Sequence, residues 1–221
     1  MAHIHVENET GLFLTGKRIF PEKSLMLYDR PIDSHTLEDF EVASGEWEAS
    51  NDGWLTGQIR KNGGGILYSR QSYPGDIVLE FDAMAVPPCD NDLNFVWKAS
   101  GWDYARNDAG KGFIGGLGGW WLNRAGIEKY PSCIPFVATG LCPLEAGRLI
   151  HIAAGSVENH AFIFADGRLV VELKDPAPEL LDDCGRFGLG TYASRIQFAN
   201  LKVYRPYWEP THFRYPEPDW E

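Results

Sequence analysis

The chain has 221 residues, 24.8 kDa, with 44% hydrophobic and 23% charged residues, which is enough apolar material for a packed core and excludes a disordered or fibrous chain. Its 20 Lys and Arg against 31 Asp and Glu leave a net charge of −11, which repels phosphate backbones and anionic bilayers, so neither nucleic acid nor membrane is an expected partner. No run approaches the ~18 apolar residues of a spanning helix. The start, MAHIHVENETGLF, lacks the basic and apolar regions of a secretory signal, so the expected location is cytoplasmic.

In chain order, strand signals recur at 25–28, 54–58, 65–69, 77–86, 94–99, 112–117, 149–156, 160–165, 169–173, 186–192 and 196–204. The only helical candidate, around 178–183, supplies one turn before Gly185. No helix-length segment separates the strands, so parallel crossover units are excluded and antiparallel pairing remains. Ala165-Asp166-Gly167-Arg168 lies between the alternating runs HAFIF and LVVEL, which predicts a tight hairpin. In the 77–86 strand, Ile77, Leu79, Phe81, Ala83 and Ala85 share a core face, and Glu80 and Asp82 point either to water or into a groove. The stretch 99–148 is rich in Gly and Trp and reads as long loops and short strands at one end of the sandwich. The expected organisation is one antiparallel β-sandwich domain over 1–205. It is followed by a tail, 206–221, whose four prolines and five aromatics suit an extended segment packed on the domain or on a partner subunit.

Cys89, Cys133, Cys142 and Cys184 are widely spaced with no C-x-x-C pair, so neither a zinc site nor a dithiol motif is signalled. They are either buried free thiols or disulfides of an exported form. Eight tryptophans raise a carbohydrate hypothesis, because the C–H face of a pyranose stacks on an indole; large cores use Trp as well. Trp97, Trp120 and Trp121 are candidates for stacking, with Asn94 as a substrate-binding amide. Adjacent Trp120 and Trp121 point opposite ways if they lie in a strand. Arg124 and Lys129 are candidates for holding a uronate carboxylate, and Glu128 for acid or base.

Glu80 and Asp82 are candidates for base and orienting carboxylate, and His151 for proton shuttle. Each of these residues has a plain structural alternative, a solvated face or a packed ring. His3 and His5 share a strand face without a third metal ligand, so no metal site is expected. Asp90, Asn91 and Asp92 offer oxygens to a structural calcium, or form an ordinary turn. Gly115-Gly116-Leu117-Gly118-Gly119 leads into Trp-Trp rather than a helix, so no nucleotide cofactor is implied.

The segments GRLIHIAAGSVENHAFIFADGRLVVEL and GRFGLGTYASRIQFANLKVYRP resemble the closing strands of concanavalin-like jelly rolls. Within that superfamily, GFIGGLGGWWLNRAGIEKYP is similar to the YesU-like family linked to pectin and rhamnogalacturonan utilisation; the likeness covers about residues 35–206. It implies a jelly roll with a groove on its concave face, and an oligosaccharide as ligand of a monomer or small homo-oligomer. Laminarinase-type relatives carry E-x-D-x-x-E on one strand. Here Glu80 and Asp82 supply the first two acids, but Ala85 stands in place of the last, so that activity is not carried over. The expectation is a glycoside hydrolase or lyase acting on plant-derived oligosaccharides, uronate-containing ones among them. The alternative is a non-catalytic lectin-like module.

Overall fold

Alternating side chains with one apolar face build two large antiparallel sheets in the computed structural model, which describes residues 11–59, 63–120 and 123–211. The first sheet runs Phe136–Thr139, Arg124–Tyr130, Gly112–Gly119, Leu93–Ala99, Arg186–Tyr192, Gly64–Ser69 and Phe40–Ser44. The second runs Arg168–Lys174, His160–Ala165, Ile150–Val157, Ile77–Ala85, Arg195–Arg205, Leu55–Gln58 and Glu46–Ala49, with Leu25–Asp29 also paired to Arg195–Arg205. In each sheet a strand from the last third of the chain sits between strands from the first half.

The inner faces meet in one aromatic core. Phe81 packs edge-on to Phe95 at 5.4 Å between centroids, and Trp97 stacks on Phe113 at 5.3 Å. Removing a ring such as Trp97 from this layer costs roughly 3–5 kcal/mol. The Asp166-Gly167 hairpin forms as the sequence predicts, joining His160–Ala165 to Arg168–Lys174 with φ of 49° at Asp166 and 75° at Gly167. A left-handed pair of this kind suits Asp-Gly, because neither residue pays a β-branched clash there. The five core positions of Ile77–Ala85 are all fully buried.

The 178–183 candidate is a short 3-10 turn, Pro178–Leu181. Within 99–148, read as long loops and short strands, the strand expected at 112–117 forms as Gly112–Gly119, and Arg124–Tyr130, not among the expected strands, is a second full member of the first sheet. In Arg124–Tyr130 a lysine occupies one inward position, which breaks the apolar alternation that marks a strand.

The outer face of the second sheet is partly roofed by a small sheet of Leu12–Leu14, Lys17–Ile19 and Trp208–Pro210. Residues 206–211 of the tail therefore lie on their own domain, with Trp208–Pro210 paired to Lys17–Ile19 and Tyr207 6.1 Å from Phe20. Positions 212–221, with Phe213, Tyr215 and Trp220, lie outside the described residues, as do His3 and His5. All four cysteines are free. Among the described residues no helix is long and apolar enough to cross a membrane.

Candidate functional site

Strand parity decides what the outer face of the first sheet presents. In Arg124–Tyr130, Ala125, Ile127 and Lys129 point inward, so Gly126, Glu128 and Tyr130 point out. Across the register, Glu128 pairs with Ile114 and Ile114 with Val96, while Gly126 pairs with Gly116 and Gly116 with Asn94. The outward row runs Gly126, Gly116, Asn94 and Gly190, and its Asn94 and Gly190 line a cleft of about 610 Å³ together with Ile114 and Glu128 of the neighbouring row.

One wall is a hairpin. The pairing of Leu93–Ala99 with Gly112–Gly119 continues through Ser100–Lys111 and Gly101–Gly110 bonds at 2.8 and 2.9 Å into the short strands Trp102–Asp103 and Asp108–Ala109. This extension folds over the sheet, where Trp102 packs against the Ile66, Tyr68, Val96 and Ala99 cluster. At its tip the Tyr104 hydroxyl donates to Glu41 at 2.6 Å, and Glu41 is held in turn by Arg186 at 2.7 Å. The hairpin gives Trp102, Asn107 and Asp108 to the cleft.

Trp120 forms the opposite wall. A Cβ on Gly126 would meet the Trp120 ring at 3.0 Å, so the missing side chain is what lets the indole lie against the strand. Trp120 itself sits at φ 40°, in the left-handed region that bulky residues rarely occupy. Such a conformation costs on the order of 1–3 kcal/mol and persists where its surroundings fix it. Here the surroundings are the glycine beneath and the Glu128 carboxylate, which accepts the indole N–H.

The electrostatics of the cleft follow from partial desolvation. Burial pushes the Glu128 carboxyl above the ordinary range; hydrogen bonds from Trp120 and Cys133 pull it back, and the charge of Asp108 pushes it up again. Asp92, at φ 62°, is pushed up to about 6, chiefly by burial, against a hydrogen bond from Asn94 and with the Glu128 charge adding to the rise. Both carboxyls thus retain protons more readily than free acids do.

The structure distributes the residues singled out from sequence over three environments. Glu128, Trp120 and Asn94 share the cleft. Glu80, Asp82 and His151 lie on the outer face of the other sheet, so the four expected catalytic residues do not form one site. Trp97 is fully buried between the sheets with its indole N–H on Ser156 Oγ at 2.6 Å, and it is out of reach of any ligand. Lys129 is also inside, 4% exposed, its Nζ 2.7 Å from Asp175 and 2.6 Å from the Ala177 carbonyl. A uronate cannot reach it there. Arg124 is exposed and does not line the cleft, and Trp121 lies outside the described residues. Asn91 donates to the Tyr192 carbonyl, and among the described residues no group of three ligating side chains is placed to hold a metal ion.

On the opposite face, His151 Nδ1 lies 2.8 Å from Asp82 and Nε2 3.5 Å from Glu80, while Asn200 donates to the second Asp82 oxygen at 2.7 Å. The Glu80 and Asp82 carboxylates hold the imidazole protonated, raised to about 9 against partial burial, and the same contact lowers Glu80. An imidazolium so fixed does not exchange protons near neutrality.

Asp92 is the cleft residue that sequence reasoning placed elsewhere, in a turn or calcium loop. The signal that finds it is parity: it stands two residues before Asn94, on the same side of the entering strand. Trp102, Asp108, Tyr130 and Tyr192 carried no such signal, because a folded-over hairpin and a distant strand bring them in.

No family model matches the chain, and no curated protein is similar to it in sequence. Solved structures do resemble it. A Bacillus subtilis protein of unknown function with a galectin-like fold is 12% identical, over 83% of this chain and 98% of that one, at a TM-score of 0.63. The carbohydrate-binding module CBM66 from Bacillus subtilis is 16% identical over 75% and 95%, at 0.56. A Bacillus licheniformis β-glucanase is 11% identical over 82% and 98%, at 0.57. At these identities the likeness establishes the fold, a concanavalin-like antiparallel jelly roll.

Proposed function

We propose that the protein binds an oligosaccharide in the cleft across its first sheet and hydrolyses a glycosidic bond there, with Glu128 as proton donor and Asp92 as base. The observation that carries this reading is the Glu128 carboxyl, desolvated and bonded to the Trp120 indole inside an aromatic-walled cleft. A carboxyl with a raised pKa holds the proton that the departing sugar oxygen requires. Asp92, ionised above about pH 6, accepts a proton from the attacking water. The bond from that water to the anomeric carbon forms as the glycosidic C–O bond breaks. Trp120 and Trp102 offer ring faces to the sugar.

Hydrolysis is favoured over elimination, since β-elimination needs a cation to neutralise the uronate carboxylate and the described lining of the cleft supplies Asp92, Asp108 and Glu128 instead. The resemblance to the YesU-like family extends the proposal to plant-derived oligosaccharides handled inside the cell. The likeness to a β-glucanase and to a carbohydrate-binding module supports a saccharide ligand.

Binding without turnover is the second reading. It is favoured by the absence of a paired acid on Ile77–Ala85, where Ala85 stands, and by the placement of that strand's carboxylates on the far side of the molecule. A reducing-sugar screen over neutral and acidic plant oligosaccharides, run on wild type and Glu128→Gln, separates the two. Turnover abolished in the variant with binding retained supports hydrolysis. Binding by the wild type with no turnover on any substrate overturns it in favour of the module, and no binding at all overturns both.

A further inference from the structure

We propose a second saccharide site at the end of the sandwich, a cleft that takes the carboxylate of an acidic sugar on Arg70 and the sugar's ring face on Tyr73. The cavity, about 520 Å³, lies where Leu25–Asp29 approaches the chain leaving Gly64–Ser69, and it shares no lining residue with the first cleft.

The two arginines in it are in different states. Arg30 is ion-paired, its Nη1 2.9 and 3.2 Å from the two oxygens of Asp39, which also accepts the Tyr28 hydroxyl. Arg70 forms no ion pair with any described residue. Its Nε donates to the Glu38 main-chain carbonyl at 3.2 Å, and the Glu38 carboxylate is occupied by His35 Nδ1 at 2.9 Å. A guanidinium anchored through Nε keeps its plane and leaves its two Nη groups as a fork, the geometry that matches a carboxylate with two parallel N–H···O bonds.

The platform lines the same cavity. Tyr73 is half-buried and stacks one ring face on Phe187 at 6.2 Å and 25°, while it also lines the cavity. A flat aromatic face and a planar cation lining one cavity suit a ligand with an apolar ring face and an in-plane anion, which describes a uronic acid residue. Asp29, which lines the cavity with no ion-pair partner among the described residues, accepts from sugar hydroxyls. In a chain of net charge −11, Arg70 offers an anionic ligand a cation that no described carboxylate engages in an ion pair.

The test compares a uronic acid trisaccharide with its fully methyl-esterified form by calorimetric titration of the intact protein. The free acid should bind about tenfold more tightly than the ester, and Arg70→Gln should erase that preference with the thermal midpoint retained. Glu128→Gln and Trp120→Ala should leave it in place. Equal binding of acid and ester, a preference that survives Arg70→Gln, or one lost in Trp120→Ala overturns the proposal. Inorganic phosphate isolates the charge, and affinity for phosphate equal to that for the trisaccharide overturns the saccharide assignment. Failure of the hydrolytic reading shows as absent turnover in the first cleft and leaves this preference untouched.

Discussion

Glu128 and Glu80 are both half-buried glutamates on outward positions of strands paired on both sides, one on each sheet, and their surroundings drive them in opposite directions. Around Glu128 the neighbours are neutral donors and other acids, so desolvation prevails and the carboxyl is pushed above its ordinary range. Around Glu80 an imidazolium supplies a full positive charge, so the carboxyl gives its proton up. Residue type and exposure are nearly the same; the nearest partner decides whether a carboxyl is poised for acid chemistry or committed to an ion pair.

The largest expected effect breaks the comparison if both residues respond alike. Glu128→Gln should lower turnover roughly 10²–10⁴-fold, whereas Glu80→Gln should leave it unchanged, measured as initial rates on one oligosaccharide substrate. Equal losses would mean that the two faces communicate. Next in size, Trp120→Ala should weaken oligosaccharide binding by about 1–2 kcal/mol, roughly 5–30-fold, while melting stays within a few degrees. Gly126→Ala should produce a smaller loss of the same kind by pushing the indole off its seat, seen as a higher KM.

The pH dependence of stability sharpens the contrast further. Asp92 has a folded pKa of about 6 against 3.8 for the free side chain, so its contribution is full below about pH 4 and is lost as pH rises through 6. His151, about 9 against 6.5, contributes fully below 6.5 and loses that contribution as pH rises through 9. The melting temperature should therefore fall in two separate windows. Asp92→Asn should flatten the first and His151→Gln the second, which is the smaller because that side chain is about half exposed.

Much of the sandwich could be read in the sequence because its signals are local. The Asp166-Gly167 turn and the alternation of Ile77–Ala85 are visible within ten residues and fold as they read. Arg124–Tyr130 hid because Lys129, inward and charged, is made tolerable by Asp175, 46 residues away. A buried ion pair of that kind leaves no trace in periodicity. Trp97 misled for a related reason: its N–H is satisfied by Ser156 across the sandwich, so a ring that reads as a sugar platform is core. Glu128 and Trp120 were found because they lie in one short stretch. The cleft's remaining walls come from positions 44 to 192, and only the folded sheet brings them together.

The strand order also bears on how the chain emerges during synthesis. Arg186–Tyr192 lies between Gly64–Ser69 and Leu93–Ala99, and Arg195–Arg205 between Leu55–Gln58 and Ile77–Ala85. Until those two strands are available, the strands that flank them in each sheet have no partner on the facing edge. Closure must wait for contacts of long sequence separation, which are slow to form, and the waiting edges are templates for pairing with other chains. A nascent or truncated chain ending before Arg186 is therefore the form most exposed to aggregation and to chaperone capture, and the cleft comes into being only when those two late strands are laid in place.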